Sequence, residues 1–361
     1  MQEEYHPKLQ GDKALKIYEE MSTTPVIGAA LLAVDLLMRQ VSWHFAPPEG
    51  TPTDAPADPR LDFLTTNLHH MQRPWVDQLS EILSMVAFGW SYHEILYEQK
   101  PDGTIGWRDL AIRAQVSRFR WEFNPDGSIR GMWQLAAPDY RQVFLPIEKC
   151  LLFRPAAHKN NPEGVSALRR AYRAWYLSKR IEELEGIGIE RDLAGLPVAW
   201  VPNEWMSATA TEDMQTSLAY FKKMVTGIRR DEQEGVVMPL LYDDKGNKLF
   251  DLTLLSAGAR RQVDMSPSLQ RYYAQMAMTV LADFLMIGHE KVGSWSLVSS
   301  KTTLFSVALG AWLDTVAETM NRHAIPRLLA LNGMPTEDAP RLVHGDIETP
   351  DLAEVGAYIR N

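Results

Sequence analysis

Cysteine is nearly missing from this chain. Cys150 is the single one in 361 residues, so no disulfide can close within the chain and no thiolate metal site can be built. There is no excess of positive charge either: 37 Lys+Arg stand against 46 Asp+Glu, a net charge of −9 with His neutral. A protein that grips nucleic acid over its whole surface is usually basic, because affinity comes from neutralised phosphates. This balance excludes that class, but not a wall past which DNA slides. No apolar run is long enough to span a bilayer. The longest, Pro25 to Met38, contains Asp35 and falls short of the roughly 20 residues a span needs. The opening MQEEYHPKLQG is polar and acidic, unlike a secretory n-region, so the chain reads as a soluble protein of a reducing compartment with no membrane partner. Neither a solenoid-period repeat nor a low-complexity tract occurs. With 45% hydrophobic residues, full disorder is excluded, and the length suits two or three domains or one elongated body with appendages.

Signatures of catalysis are also scarce. Gly288-His289-Glu290-Lys291-Val292-Gly293-Ser294 has the glycine spacing of a P-loop, but lacks the Lys directly after the second Gly and follows a helical pattern rather than a strand. Gly186 and Gly188 begin a dinucleotide-type GxG with no third Gly, in mid-helix. His69 and His70 are adjacent, and neighbouring helix positions point about 100° apart, too far for one ion. Asp243-Asp244-Lys245-Gly246-Asn247 has calcium-loop composition without the twelve-residue spacing, and reads as a hairpin turn. Cys150 opens the apolar strand Cys-Leu-Leu-Phe and reads as a buried small hydrophobe. No serine elbow or usefully spaced carboxylate pair appears, so neither an enzyme nor a cofactor is expected.

What is present is an α+β pattern. Thr24-Pro25 is a helix start, with Thr as candidate cap and Pro at the first helical position; Ile27, Leu31, Val34 and Met38 follow at helical spacing. Val41 to Phe45 alternates as a strand. Residues 47–59 hold five prolines and read as a loop. Helices are expected near 59–71 and 74–87, the second ended by Gly89. Antiparallel strands follow: 90–97, 105–112, 119–123, 129–135, 143–145 and 150–153, with turns at Pro101-Asp102-Gly103 and Asn124-Pro125-Asp126-Gly127.

The second half is different. Asn161-Pro162-Glu163 reads as cap, first-turn proline and first-turn acid of a helix reaching about Leu193, roughly 45 Å long. Its start is basic (Arg169, Arg170, Arg173, Lys179, Arg180) and its end acidic (Glu182, Glu183, Glu185, Glu190). After Gly195-Leu196-Pro197 a small α/β module is expected: strand 198–201, helix 211–226, strands 236–238 and 249–255. A helix from Pro267 to Ile287 leads to an aperiodic segment, 288–298, with two glycines. A long helix over 299–331 carries Phe305, Leu309, Trp312, Val316 and Met320 on one stripe, with Pro326 expected to kink it. A strand at Leu342 to His344 and a helix from Pro350 finish the pattern.

The order of these elements resembles the portal proteins of tailed bacteriophages, most closely the Mu-like branch. Four segments carry the likeness: "TTPVIGAALLAVDLLMRQVSWHF", "LSEILSMVAFGWSYHEILYE", "NPEGVSALRRAYRAWYLSKRIEELEGIGIERDLAGLPVAWVP" and "SVALGAWLDTVAETMNRHAIPRLLALNG". The third is the most specific, through its N-P-x-G-x-S-x-L-R entry to a first stem helix. The likeness covers about residues 20 to 350.

The resemblance implies a portal-like fold: an antiparallel-strand wing over 1–162, a first stem helix at 163–195, a small α/β clip at 196–262 and a second stem helix at 263–287. A tunnel loop at 288–298, a long kinked wing helix at 299–334, and a wing end with the start of a crown at 335–361 complete it. It implies a twelve-subunit ring at one capsid vertex whose channel passes double-stranded DNA during packaging and ejection. The terminase large subunit would dock on the clip, head-tail adaptors would follow it, and the major capsid protein would surround the ring. The expected location is the virion, after assembly in the host cytoplasm from a phage or prophage gene. Lys291, Gly293, Ser294 and Trp295 would form the constriction, with Lys291 touching phosphate. Trp295 would wedge against a neighbouring loop, lie against DNA or anchor its own stem. Arg173, Lys179, Arg180, Glu182, Glu183 and Glu190 would pair between neighbouring stems. The alternatives are a different head-tail connector or adaptor ring and, further off, an α+β enzyme.

Overall fold

The computed structural model describes residues 6–48, 50–52, 56, 58–157, 159–194, 196–227, 251–255, 265–279 and 295–347. The chain divides into two compact units, Met1–Trp175 with Tyr272–Asn361, and Tyr176–Arg271.

The first unit opens with α1 (Gly11–Ser22), a helix the polar N-terminus did not announce. Its Ala14, Leu15, Tyr18 and Met21 are nevertheless three or four residues apart and buried. α2 (Pro25–Arg39) starts at the expected proline. Thr24 does not cap it by its side chain; the Thr24 hydroxyl instead accepts from the Trp175 indole at 2.9 Å. β1 (Trp43–Ala46), α3 (Pro59–His69) and α4 (Trp75–Phe88) follow, with Asp58 capping α3 by accepting from the Arg60 amide.

Six strands come next: β2 (Ser91–Gln99), β3 (Ile105–Ile112), β4 (Arg118–Phe123), β5 (Ile129–Ala136), β6 (Arg141–Pro146) and β7 (Cys150–Phe153). They form two three-stranded antiparallel sheets, in orders β3-β2-β7 and β4-β5-β6. Both hairpin turns lie where Pro101-Asp102-Gly103 and Asn124-Pro125-Asp126-Gly127 place them. In each, the Asp side chain accepts from the backbone amide two residues on, Thr104 and Ser128.

A 3₁₀ turn at Ala167–Ala171 leads into α5 (Tyr172–Ala194), which runs on into the second unit. There the described elements are β8 (Leu196–Trp200), α6 (Glu212–Gly227) and β9 (Asp251–Leu255), with β8 and β9 antiparallel. The expected strand at 236–238 and the turn at 243–247 lie outside the described residues. α7 (Ser266–Thr279) begins in the second unit and ends in the first; 280–287 of the expected helix lie outside.

The long helix differs from expectation at its start: α8 (Trp295–Thr319) begins inside the segment expected as a loop, while α9 (Ile325–Leu331) ends at 331, where the helical pattern ends. Between them a π turn spans Met320–Ala324. The reason is a register change. Leu309, Leu313, Val316 and Met320 recur at α spacing and are buried, and the same spacing carried on would turn Arg327 inward and Leu328 outward. One extra residue in the π turn shifts the stripe, so that Ala324, Ile325, Leu328 and Leu329 face the core. The turn also ends beside Pro326, whose ring clashes with a regular preceding turn. β10 (Arg341–His344) pairs antiparallel with β1, and Asn321 clamps it, donating to the Leu342 carbonyl at 3.0 Å and accepting from its amide at 2.7 Å. The helix expected from Pro350 is outside the described residues.

Faces of α2, α4 and α8 meet in one apolar cluster that includes Ile27, Met38, Leu79, Ile82, Leu313 and Val316. A second, smaller cluster of Trp90, Tyr92, Met132, Leu145 and Cys150 packs under β4-β5-β6. No single described helix is long and apolar enough to cross a membrane; the pair α1 and α2 passes together by composition, bent by 89°.

Candidate channel and subunit-contact segments

The entry to α5 is built by two glycines pressed together. Gly89 ends α4 at φ +90°, and a Cβ there would lie 2.7 Å from the Glu163 carbonyl oxygen. Gly164 has φ +56°, and its Cβ would lie 2.3 Å from the Gly89 carbonyl oxygen. Only glycine allows this approach with this backbone. Here the expected helix start moves. Asn161 does not cap α5; its side-chain oxygen accepts from the Glu163 amide, and the chain turns through Gly164. Ser166 is the cap, accepting from the Leu168 amide at 3.0 Å while donating to the Ala87 carbonyl. The N-P-x-G-x-S-x-L segment is therefore a splice of α4 to the 3₁₀ turn before α5.

An ionic cluster braces the splice. Arg118, with its side chain only 10% exposed, pairs with Asp12 at 2.7 Å and with Glu163 at 3.0 Å. The Glu163 carboxylate also accepts from the Trp121 indole at 3.2 Å. Burial pushes the Tyr18 hydroxyl up to about 12, opposed by its hydrogen bond to Ser166 and reinforced by the charge of Glu163. Sequence reasoning passed over Arg118, Asp12 and Glu163 as a group, because they are scattered over about 150 residues.

The stem charges expected at subunit contacts all lie on α5. Arg180 pairs with Glu183 on its own helix at 3.1 Å, with both side chains well exposed, 62% and 46%. Arg173, Lys179 and Glu182 are also exposed on α5, and Glu190 lies on it at a position whose side chain is outside the described set. The same helix exposes Tyr176, Leu184 and Ile187, at 47%, 46% and 45%. Lys291, Gly293 and Ser294 lie outside the described residues. Trp295 is the first residue of α8, so the expected loop ends before it.

Other titratable groups serve the core. His93 is fully buried, its Nδ1 facing the Leu110 carbonyl oxygen at 3.1 Å, and burial lowers it to about 4. Burial pushes the Cys150 thiol up to about 12, which makes it an inert core residue. Arg327 donates to the carbonyls of Cys150 at 2.8 Å and Ile147 at 3.2 Å, bolting α9 to the second apolar cluster. No group of three or more His, Cys, Asp or Glu side chains poised for a metal occurs among the described residues.

Comparison with solved structures gives the fold a context. The chain is similar to a chain in the neck of a native gene transfer agent particle computed with C12 symmetry, at 12% identity over 99% of this chain and 90% of that one, TM-score 0.56. It is also similar to one in the neck of an empty particle computed with C6 symmetry, at 12% identity, covering 92% and 84%, TM-score 0.54. A chain of the native gene transfer agent virion matches at 12% identity, covering 96% and 86%, TM-score 0.53. No curated protein matches. The model of one protein family, described as the portal protein of Mu bacteriophage, matches residues 15–359. With nearly the whole chain inside that match, the protein belongs to the Mu bacteriophage portal protein family.

Proposed function

We propose that this portal protein closes into a ring of twelve copies at one vertex of a phage particle and works there as a conduit, without catalysis. Double-stranded DNA passes through the ring during packaging and ejection. The supporting observation is the family match from residue 15 to residue 359, nearly the whole chain. In this reading 1–162 and 299–334 form the wing, 335–361 the wing end and the start of a crown, 163–195 and 263–287 the stem, 196–262 the clip and 288–298 the tunnel loop. The terminase large subunit docks on the clip, adaptors replace it, and the major capsid protein holds the wing. A charge of −9 per copy suits a channel that must pass DNA without holding it.

Mass measurement in solution with negative-stain imaging tests the ring. Turbine-shaped particles with a central hole support the reading, and a compact monomer at all concentrations overturns it. Deleting Gly293 to Ser296 tests the loop: rings should form normally, while packaging falls or packaged DNA leaks. Unchanged packaging and retention would make the loop a passive connector.

A further inference from the structure

Asn332 is followed by Gly333, and none of the other eight asparagines in this sequence precedes a glycine. Asn124 and Asn161 precede proline, which has no N–H. The Asn332-Gly333 pair ends α9. Gly333, at φ +65°, closes the helix as a Schellman motif: its amide donates to the Ala330 carbonyl at 3.1 Å, and the Met334 amide to the Leu329 carbonyl at 2.9 Å. The Asn332 side chain reaches the first residue of β3. Its Oδ1 accepts from the Ile105 amide at 2.8 Å. Its Nδ2 donates to the carbonyls of Ile105 and Leu328, both at 2.9 Å. The side-chain amide therefore latches α9 to β3 by copying the donor and acceptor of a strand residue.

An asparagine before glycine also has a nucleophile beside it. Once deprotonated, the Gly333 nitrogen can attack Cγ of Asn332. A C–N bond forms, the bond from Cγ to Nδ2 breaks, and Nδ2 leaves as ammonia with the proton that Gly333 gave up. The product is a five-membered imide. Water then opens the ring at one of its two carbonyl carbons, giving aspartate or isoaspartate. Glycine favours the attack because it has no side chain to block it and allows the backbone to turn into it. The fold opposes every part of the step. The Gly333 N–H is donated to Ala330, and both atoms of the Asn332 amide are held. At ψ 8° the Gly333 nitrogen lies beside the nitrogen of Asn332 itself, whereas ring closure needs it on the Cβ side.

We propose that Asn332 is a deamidation site that the latch between α9 and β3 holds closed, and that it reacts when the latch opens. The reaction is one-way for the fold. Aspartate brings a carboxylate oxygen where the Ile105 and Leu328 carbonyls had a donor, so both lose their partner and face a negative charge. Isoaspartate also lengthens the backbone by one carbon. The site thus keeps a covalent record that the end of the long helix has parted from β3. It works within one copy and does not rest on ring formation.

Peptide mapping by mass spectrometry with an isoaspartate assay tests this on the full chain, held in mildly alkaline buffer with and without urea. Asn321 is the internal control. It makes the same two-point clamp, on Leu342, but precedes Arg322. In urea Asn332 should convert well ahead of Asn321. In buffer its conversion should be slower by about tenfold or more, because it waits on local opening. Asn332→Asp should melt several degrees below the parent. No conversion in urea would show that Asn332 is not a site. Equal rates with and without urea would show that the fold does not hold it closed. An Asn332→Asp chain that melts with the parent would show that the product leaves the latch intact.

Discussion

Replacing Gly164 by alanine isolates the splice between α4 and α5. Two terms add. The residue sits at φ +56°, where an L side chain costs about 1–2 kcal/mol. The new Cβ also lies 2.3 Å from the Gly89 carbonyl oxygen and 3.0 Å from that of Ala156. Forced overpacking costs about 1–3 kcal/mol more. Gly89 cannot yield cheaply, because it is itself at φ +90° with backbone atoms of Glu163 and Ser166 within 3 Å of its missing Cβ. The sum is about 2–5 kcal/mol, or roughly 4–9 °C in Tm for the unit formed by Met1–Trp175 and Tyr272–Asn361. Gly103→Ala and Gly127→Ala are the controls. They have φ +85° and +82° with nothing within 4 Å, so they report the backbone term alone. Thermal unfolding of the dissociated chains, followed by circular dichroism, orders the three. If Gly164→Ala melts no lower than the two controls, the close glycine approach contributes nothing and the argument fails.

Acid should find His93. Its folded-state pKa is lowered from 6.5 to about 4, so the unfolded chain takes up the proton first as pH falls. Its contribution is complete above about pH 6.5 and is lost progressively toward about pH 4, on the order of 3 kcal/mol in all. His93→Gln should flatten stability over that window, and an unchanged pH profile would contradict it. The Cys150 thiol should resist a disulfide reagent at pH 8 in the folded protein and react fully in denaturant; rapid reaction of the native chain would refute its burial. Arg327→Ala should lower stability by about 2–4 kcal/mol, because it strips charged donors from the Cys150 and Ile147 carbonyls; a shift in urea midpoint within error would count against the bolt. Reversing Arg173 and Arg180 together to Glu should weaken assembly, more at low salt than at high, where exposed charges are screened. Equal assembly at low salt would show that these side chains take no part in assembly.

Local chemistry was legible in the sequence and distant chemistry was not. The two hairpin turns, the alternation of the strands and the stripe from Phe305 to Met320 announced themselves, because each is a repeat of two or 3.6 residues closed within a few positions. The start of α5 was misplaced. Asn161-Pro162-Glu163 has the composition of a cap, but the deciding fact is Gly164 pressed on Gly89, a contact 75 residues away in sequence. Thr24 likewise went to Trp175 instead of capping its own helix. The π turn had a local sign, the slip of the apolar stripe from Met320 to Ala324, which was assigned to Pro326 as a kink. The Arg118 cluster had no sign at all, since its members come from α1, β4 and the loop before α5.

Charge alone is a poor source of affinity between copies of this chain. A row of ion pairs between neighbours was the simplest use of a helix that is basic at one end and acidic at the other. Yet Arg180 and Glu183 satisfy each other within one helix, and exposed pairs contribute only about 0–1 kcal/mol each. Against that stands the net charge of −9 on every copy, which opposes assembly and grows in effect as copies gather. Ion pairs of that size do not offset such repulsion. Apolar contact does, because it is indifferent to sign and scales with buried area. Salt should therefore act in two directions, helping the parent to assemble by screening the overall repulsion while shrinking the difference between parent and charge-reversed chains.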